Sequence, residues 1–83
     1  MKTESEIKAF LKESLSRLLN IKVDQIEEDV PLDAHYGLKS MDSMSLGAKL
    51  EDWLEVELDV EFLFEYRTIA ELAKNAAKMN EGY

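Results

Sequence analysis

The 83-residue chain has no cysteine, one proline, three glycines, one tryptophan and one histidine. The lack of cysteine excludes disulfides, thiolate zinc sites and cysteine nucleophiles, and the lone His35 leaves too few imidazoles for a histidine-built metal centre. Long apolar runs are also missing. No stretch approaches the roughly 20 residues of a membrane span, and the single lysine of Met1–Glu6 has no apolar segment behind it, so the chain reads as cytoplasmic. Positive charge is scarce: 10 Lys and Arg stand against 18 Asp and Glu, a net charge of −8. Acidity of this degree repels phosphate backbones and anionic headgroups, which argues against nucleic-acid or membrane binding and for partners with basic patches. The length fits one domain, 1–83, burying little more than about 60% of its unfolded surface, with stability on the order of 5 to 10 kcal/mol and no large pocket.

What is present is mostly helical periodicity. Apolar residues at positions 7, 10, 11, 15, 18 and 19 predict an amphipathic helix from Thr3 to Leu19. Thr3 and Glu6 have the spacing of a capping box, and Asn20 is a natural stop. From Ile21 to Lys39 the period fails and Pro31 intervenes, which predicts a long loop pinned by Ile26, Val30 and Leu32. A second helix is expected from Ser40, with Met41, Met44, Ala48, Leu50, Trp53 and Leu54 mostly at helical spacing. Gly47 weakens it by about 1 kcal/mol relative to alanine. The alternation through Val56, Leu58, Val60, Phe62 and Phe64 reads in isolation as a strand. The only candidate partner, Ile21–Val23, is too short to make a stable sheet, so a bend and a short third helix over Val60–Glu65 are preferred. Thr68 and Glu71 repeat the capping spacing and open a last helix carrying Ile69, Leu72, Ala73 and Ala76 on one face, with Met79–Tyr83 fraying. The fold class is therefore all-α: a small four-helix bundle, three main helices plus a short third one, with a long loop between helices 1 and 2.

The negative charge is confined to the middle of the chain. Residues 1–20 and 67–83 are each +1, residues 21–38 are −4 and residues 39–66 are −6. Helix 2 and its sequel thus carry an acidic face, which either keeps a small protein in solution or meets basic partners in transient contacts.

No catalytic constellation is visible. His35 lacks a defined nucleophile and oxyanion site and reads as a loop histidine, Glu51 and Asp52 point in different directions on their helix, and the acids of Asp24–Asp33 lack the spacing and internal glycine of a calcium loop. The informative segment is Tyr36-Gly37-Leu38-Lys39-Ser40-Met41-Asp42-Ser43-Met44. It sets a glycine and a serine at the mouth of a helix, flanked by pliable methionines. Local physics makes Ser40 an N-cap; a phosphate attached there would also lie near the positive end of the helix dipole.

Gly37-Leu38-Lys39-Ser40-Met41, Leu50-Glu51-Asp52-Trp53-Leu54 and Phe64-Glu65-Tyr66-Arg67-Thr68-Ile69 together resemble the acyl and peptidyl carrier proteins, which bear a phosphopantetheine arm on a serine at the start of their second helix. The Leu-Glu-Asp-Trp-Leu run is most like stand-alone carriers of polyketide or mixed polyketide and peptide pathways. Asp42-Ser43-Met44 imitates the family motif by itself, but in the family Leu-Glu follows the modified serine by ten and eleven positions, which Leu50 and Glu51 satisfy from Ser40 and not from Ser43. Two residues depart from the family pattern. Lys39 replaces an aspartate implicated in recognition by the phosphopantetheinyl transferase, and Arg67 replaces a proline.

The resemblance implies a protein that is not an enzyme. It implies 4′-phosphopantetheine linked covalently to Ser40, holding an acyl or aminoacyl thioester, and docking through Met41, Met44, Glu51, Asp52 and Glu55. The implied partners are a phosphopantetheinyl transferase, an acyl-adenylating ligase or adenylation domain, and downstream synthase enzymes, with the carrier itself a monomer. The absence of a double glycine at Gly37-Leu38 leans toward acyl rather than aminoacyl cargo, and Met1 with the punctuated start at Thr3 reads as a free-standing chain. The alternatives are an unmodified acidic interaction module, in which Lys39 marks loss of the arm, and a polyanion mimic, which leaves the three motifs unexplained.

Overall fold

The fold follows from three capped amphipathic segments closing on one another. The computed structural model describes residues 2–59 and 61–81. Helix α1 spans Glu4–Leu19, α2 Leu32–Tyr36, α3 Ser40–Leu54, α4 Phe62–Glu65 and α5 Ile69–Glu81, and no strand occurs among the described residues.

Helix α1 begins where the sequence places it. The Thr3 hydroxyl accepts from the Glu6 N–H at 3.1 Å, the Glu6 carboxylate accepts from the Thr3 N–H at 2.9 Å, and Asn20 closes the helix in the left-handed region at φ 57°. Ile7, Leu11 and Leu15 turn fully inward against Leu50 of α3 and Ile69, Leu72, Ala73 and Ala76 of α5, which form the core. The small side chains of Ala73 and Ala76 let α5 pack closely. Leu18, placed on the apolar stripe by its spacing, is 40% exposed.

The connection from α1 to α3 is more ordered than a loop. Val23–Gln25 forms a single 3-10 turn and α2 adds a short helix whose first turn closes with the His35 N–H on Pro31 C=O at 2.8 Å. Ile26 and Leu32 are buried as expected and Val30 is half-buried. Backbone stitches complete the job: Leu32 N–H donates to Arg67 C=O at 2.8 Å and Ala70 N–H to Glu28 C=O at 3.0 Å. Lys12 and Lys8 grip Glu28 at 2.6 and 3.2 Å, holding the connection to α1, and hold its carboxyl below the usual carboxylate range by hydrogen bonding.

The alternating segment after α3 bends, as the lack of a strand partner requires, and α4 begins at Phe62; Val60 lies outside the described residues. The end of α5 does not fray at Met79. The helix runs on to Glu81 because Asn80 accepts from the Lys2 N–H at 2.6 Å and so ties the two ends of the chain; Gly82 and Tyr83 lie outside the described residues.

Candidate functional site

The mouth of α3 is built by a reversal and a weak cap. Gly37 ends α2 at φ 68°, in the left-handed region, and swings the chain so that Leu38 drops into the core at 8% exposure. Lys39 follows in extended geometry, φ −93° and ψ 168°, and is the N-cap. An ammonium cannot accept a hydrogen bond, so only half of a capping box forms: Asp42 Oδ2 accepts from the Lys39 N–H at 3.3 Å. Ser40 is therefore not the N-cap that its hydroxyl suggests. It is the first helical residue, exposed, and its hydroxyl makes no hydrogen bond to another described residue. The physical reason is register: the extended residue that must precede the helix is Lys39, which moves the serine one place inward.

Ser43 sits on the same face of α3 as Ser40 but turned into the protein, 8% exposed. Its hydroxyl also makes no hydrogen bond among the described residues, and the side chain lines a cleft of about 130 Å³ shared with Leu32, Leu38, Ser40, Leu63 and Arg67. A second cleft, about 210 Å³ and mostly apolar, continues along α3 past Met44 and Gly47 to Phe62 and Leu63.

The remaining residues singled out in the sequence lie along α3. Met41 and Met44 are 82% and 58% exposed beside Ser40, apolar side chains left open to solvent at the helix mouth. Asp52 is exposed; Glu55 is exposed too and caps α3 in the left-handed region at φ 59°. Glu51 is half-buried and its carboxylate accepts from the Leu58 N–H at 2.8 Å, so it shapes the bend after α3 as well as contributing charge. His35 is on α2, edge-on to Tyr36 and 3.3 Å from Glu27, away from any nucleophile arrangement. The residue that sequence reasoning left out of the site is Arg67. Its Nε and Nη2 donate to Asp33 Oδ1 at 3.2 and 2.9 Å, which holds the Asp33 carboxyl below its ordinary range and fixes a guanidinium on the wall of the cleft beneath Ser40. No local motif signals it, since Arg67 reaches the site only through the fold.

An exposed, unbonded serine hydroxyl at the mouth of a 15-residue helix, flanked by exposed methionines, suits attachment of a group. Residues 9–75 match the model of the phosphopantetheine attachment site family. The chain belongs to that family. The carrier is 34% identical over 74 residues to polyketide synthase ThaG of Burkholderia thailandensis, a stretch that covers 89% of this chain and 1% of that protein. It superposes with TM-score 0.85 on a free-standing peptidyl carrier protein from an Acinetobacter baumannii secondary metabolic pathway, at 26% identity over 94% of this chain and 96% of that one. The acyl carrier protein Asl1650 of Anabaena sp. PCC 7120, described as having a variant phosphopantetheinylation-site sequence, superposes with TM-score 0.86 at 29% identity, covering 94% of this chain and 88% of that one. This is a carrier domain with a serine-linked phosphopantetheine site, and it is not itself an enzyme. Among the described residues no helix is long and apolar enough to cross a membrane.

Proposed function

We propose that residues 1–83 form one carrier domain that bears 4′-phosphopantetheine on Ser40 and presents an acyl or aminoacyl group to the enzymes of a polyketide or mixed polyketide and peptide pathway. The observation that carries the choice of residue is the contrast between the two serines. Ser40 offers an exposed, unbonded hydroxyl at the helix mouth, whereas Ser43 is 8% exposed and faces the cleft. A transferase must bring the pyrophosphate of coenzyme A to the hydroxyl, and the exposure of Ser40 favours that approach over the buried Ser43.

The arm supplies a thiol on which the cargo is carried as a thioester; the protein supplies position. Tethering raises the concentration of cargo at each docked active site without new contacts to the cargo itself. Met41 and Met44 offer adaptable apolar contact, and Glu51, Asp52 and Glu55 supply negative potential that speeds encounter with basic surfaces and keeps docking transient. The partners are a phosphopantetheinyl transferase, an acyl-adenylating ligase or adenylation domain, and downstream synthase enzymes. Lys39 is this chain's departure at the position preceding the attachment serine. The Anabaena carrier, also a variant at its modification site, supports reading Lys39 as a change of transferase preference rather than loss of the arm.

The test is intact and peptide mass spectrometry after incubation with coenzyme A and a broad-specificity transferase. One phosphopantetheine is gained by the wild type and by Ser43→Ala, and none by Ser40→Ala. Gain that vanishes only in Ser43→Ala moves the site to Ser43; no gain with several transferases favours the unmodified interaction module.

A further inference from the structure

The cleft beneath Ser40 is lined by two groups whose donors have no protein partner among the described residues and face solvent, the half-exposed Arg67 guanidinium and the Ser43 hydroxyl. Arg67 spends Nε and one Nη2 hydrogen on a single oxygen, Asp33 Oδ1, which leaves three of its five N–H groups without a partner among the described residues. Ser43, more than nine-tenths buried, lines the same cleft with an unbonded hydroxyl. Ser40 and Ser43 are three residues apart on α3, so their Cβ atoms are roughly 5–6 Å apart on one face, within the span of a phosphate ester on the Ser40 oxygen. The cleft, about 130 Å³, exceeds by far the roughly 10–15 Å³ that a single water needs.

We propose that Arg67 and Ser43 form a docking site for the phosphodiester of the group carried on Ser40, an inference that rests on the attachment proposed above. The charges direct it there. Asp42, two residues beyond Ser40 and so on a different side of the helix, keeps its carboxylate on the Lys39 N–H and repels the diester from that side. Asp33 lines the cleft as well, but its carboxylate is paired with Arg67, whose remaining N–H groups offer charge-assisted donors, whereas Asp42 has no cation paired with it among the described residues. A diester held on that side leaves the helix mouth toward the apolar cleft lined by Met44, Gly47 and Leu63, and away from the acidic face at Asp52 and Glu55. Arg67 is a positioning residue here, and it acts on the anchored end of the arm.

The experiment converts the apo protein to the holo form with coenzyme A and transferase, verifies loading by mass, and then records the Arg67 Nε–H resonance and the 31P relaxation of the diester. The Arg67 resonance shifts on loading, and the docked-to-free ratio read from 31P relaxation falls about two- to fivefold in Arg67→Gln, the worth of an exposed ion pair. Lys39→Gln removes a neighbouring cation that does not line the cleft, so it preserves the 31P signature. Loading without an Arg67 shift, or equal loss in Lys39→Gln and Arg67→Gln, overturns the docking site and leaves the attachment intact. Failure of Ser40 to load overturns both.

Discussion

Gly37 and Gly47 answer different needs, and substitution by alanine separates them. Gly37 holds φ 68° with open space where a Cβ would stand, so its requirement is conformational, and Gly37→Ala is expected to cost about 1–2 kcal/mol. Gly47 is helical, and an added Cβ would meet Leu63 Cδ1 at 3.1 Å, the tip of a flexible side chain that yields by a few tenths of an ångström. Relief of the glycine's helix penalty outweighs that contact, so Gly47→Ala is expected to stabilise by about 0.5 kcal/mol. Urea denaturation followed by circular dichroism checks both; destabilisation by Gly47→Ala would show that Leu63 is locked. At this scale the sequence was informative where a residue acts locally. The glycine before Leu38 and the pair of serines could be picked out from the string, and the family's spacing to Leu50 and Glu51 favours Ser40 over Ser43, a choice the loading experiment tests. Arg67 could be noted as a departure but not assigned, because its place beside Ser40 is created by α4 and the turn after it.

Among the elements, the two outer long helices were legible at their capped starts, whereas the C-terminal end of α5 and the short helices were not. Thr3 with Glu6, and Thr68 with Glu71 at 3.1 Å, mark their helices by side-chain chemistry that depends only on neighbours. Helix α2 has five residues, too few for a period to show, and is held instead by Arg67 C=O and by the Glu27 N–H donating to Tyr36 Oη at 2.8 Å, contacts no local pattern announces. The start of α3 lies between these cases: the boundary was right and the cap was misassigned, because serine outranks lysine as a cap in isolation and the Gly37 reversal decides otherwise. Lys39→Asp would give α3 an acceptor at its N-cap, offset in part by repulsion from Asp42. The expected net gain is about 0.5 kcal/mol, read as a rise of a few degrees in Tm, together with faster loading by transferases that favour an acidic residue there. A Tm that does not rise would mean that the cap position is not limiting for α3.

For the whole molecule, charge both divides and fastens the structure. Glu28 joins the connecting segment to α1 and Asp33 joins α2 to the residue before Thr68, and hydrogen bonding to Lys12 and Arg67 lowers the pKa of each acid. Groups so depressed contribute stability that is complete above the ordinary carboxylate range and is lost as pH falls through that range to their folded pKa values. Stability is therefore expected to drop on acidification below about pH 4, and less steeply in Glu28→Gln than in Glu13→Gln, which removes one charge without an ion pair among the described residues. Urea midpoints at stepped pH values make the comparison; equal slopes would show that the Glu28 pair adds nothing. The bundle itself was legible because few arrangements bury three amphipathic faces in so short a chain, while the cleft under Ser40 was not, being the space left over where α2, α3, α4 and Arg67 meet. One packing detail also serves as an instrument. Trp53, the chain's single tryptophan, lies stacked on Phe10 with ring centroids 4.2 Å apart and with the Lys2 ammonium 4.8 Å from its ring. It stands about 20 Å along α3 from Ser40, so its emission reports the parting of α1 from α3 and is indifferent to loading. Selective excitation of this one tryptophan thus lets unloaded and loaded forms be compared for stability on one optical scale, with no label added to the molecule.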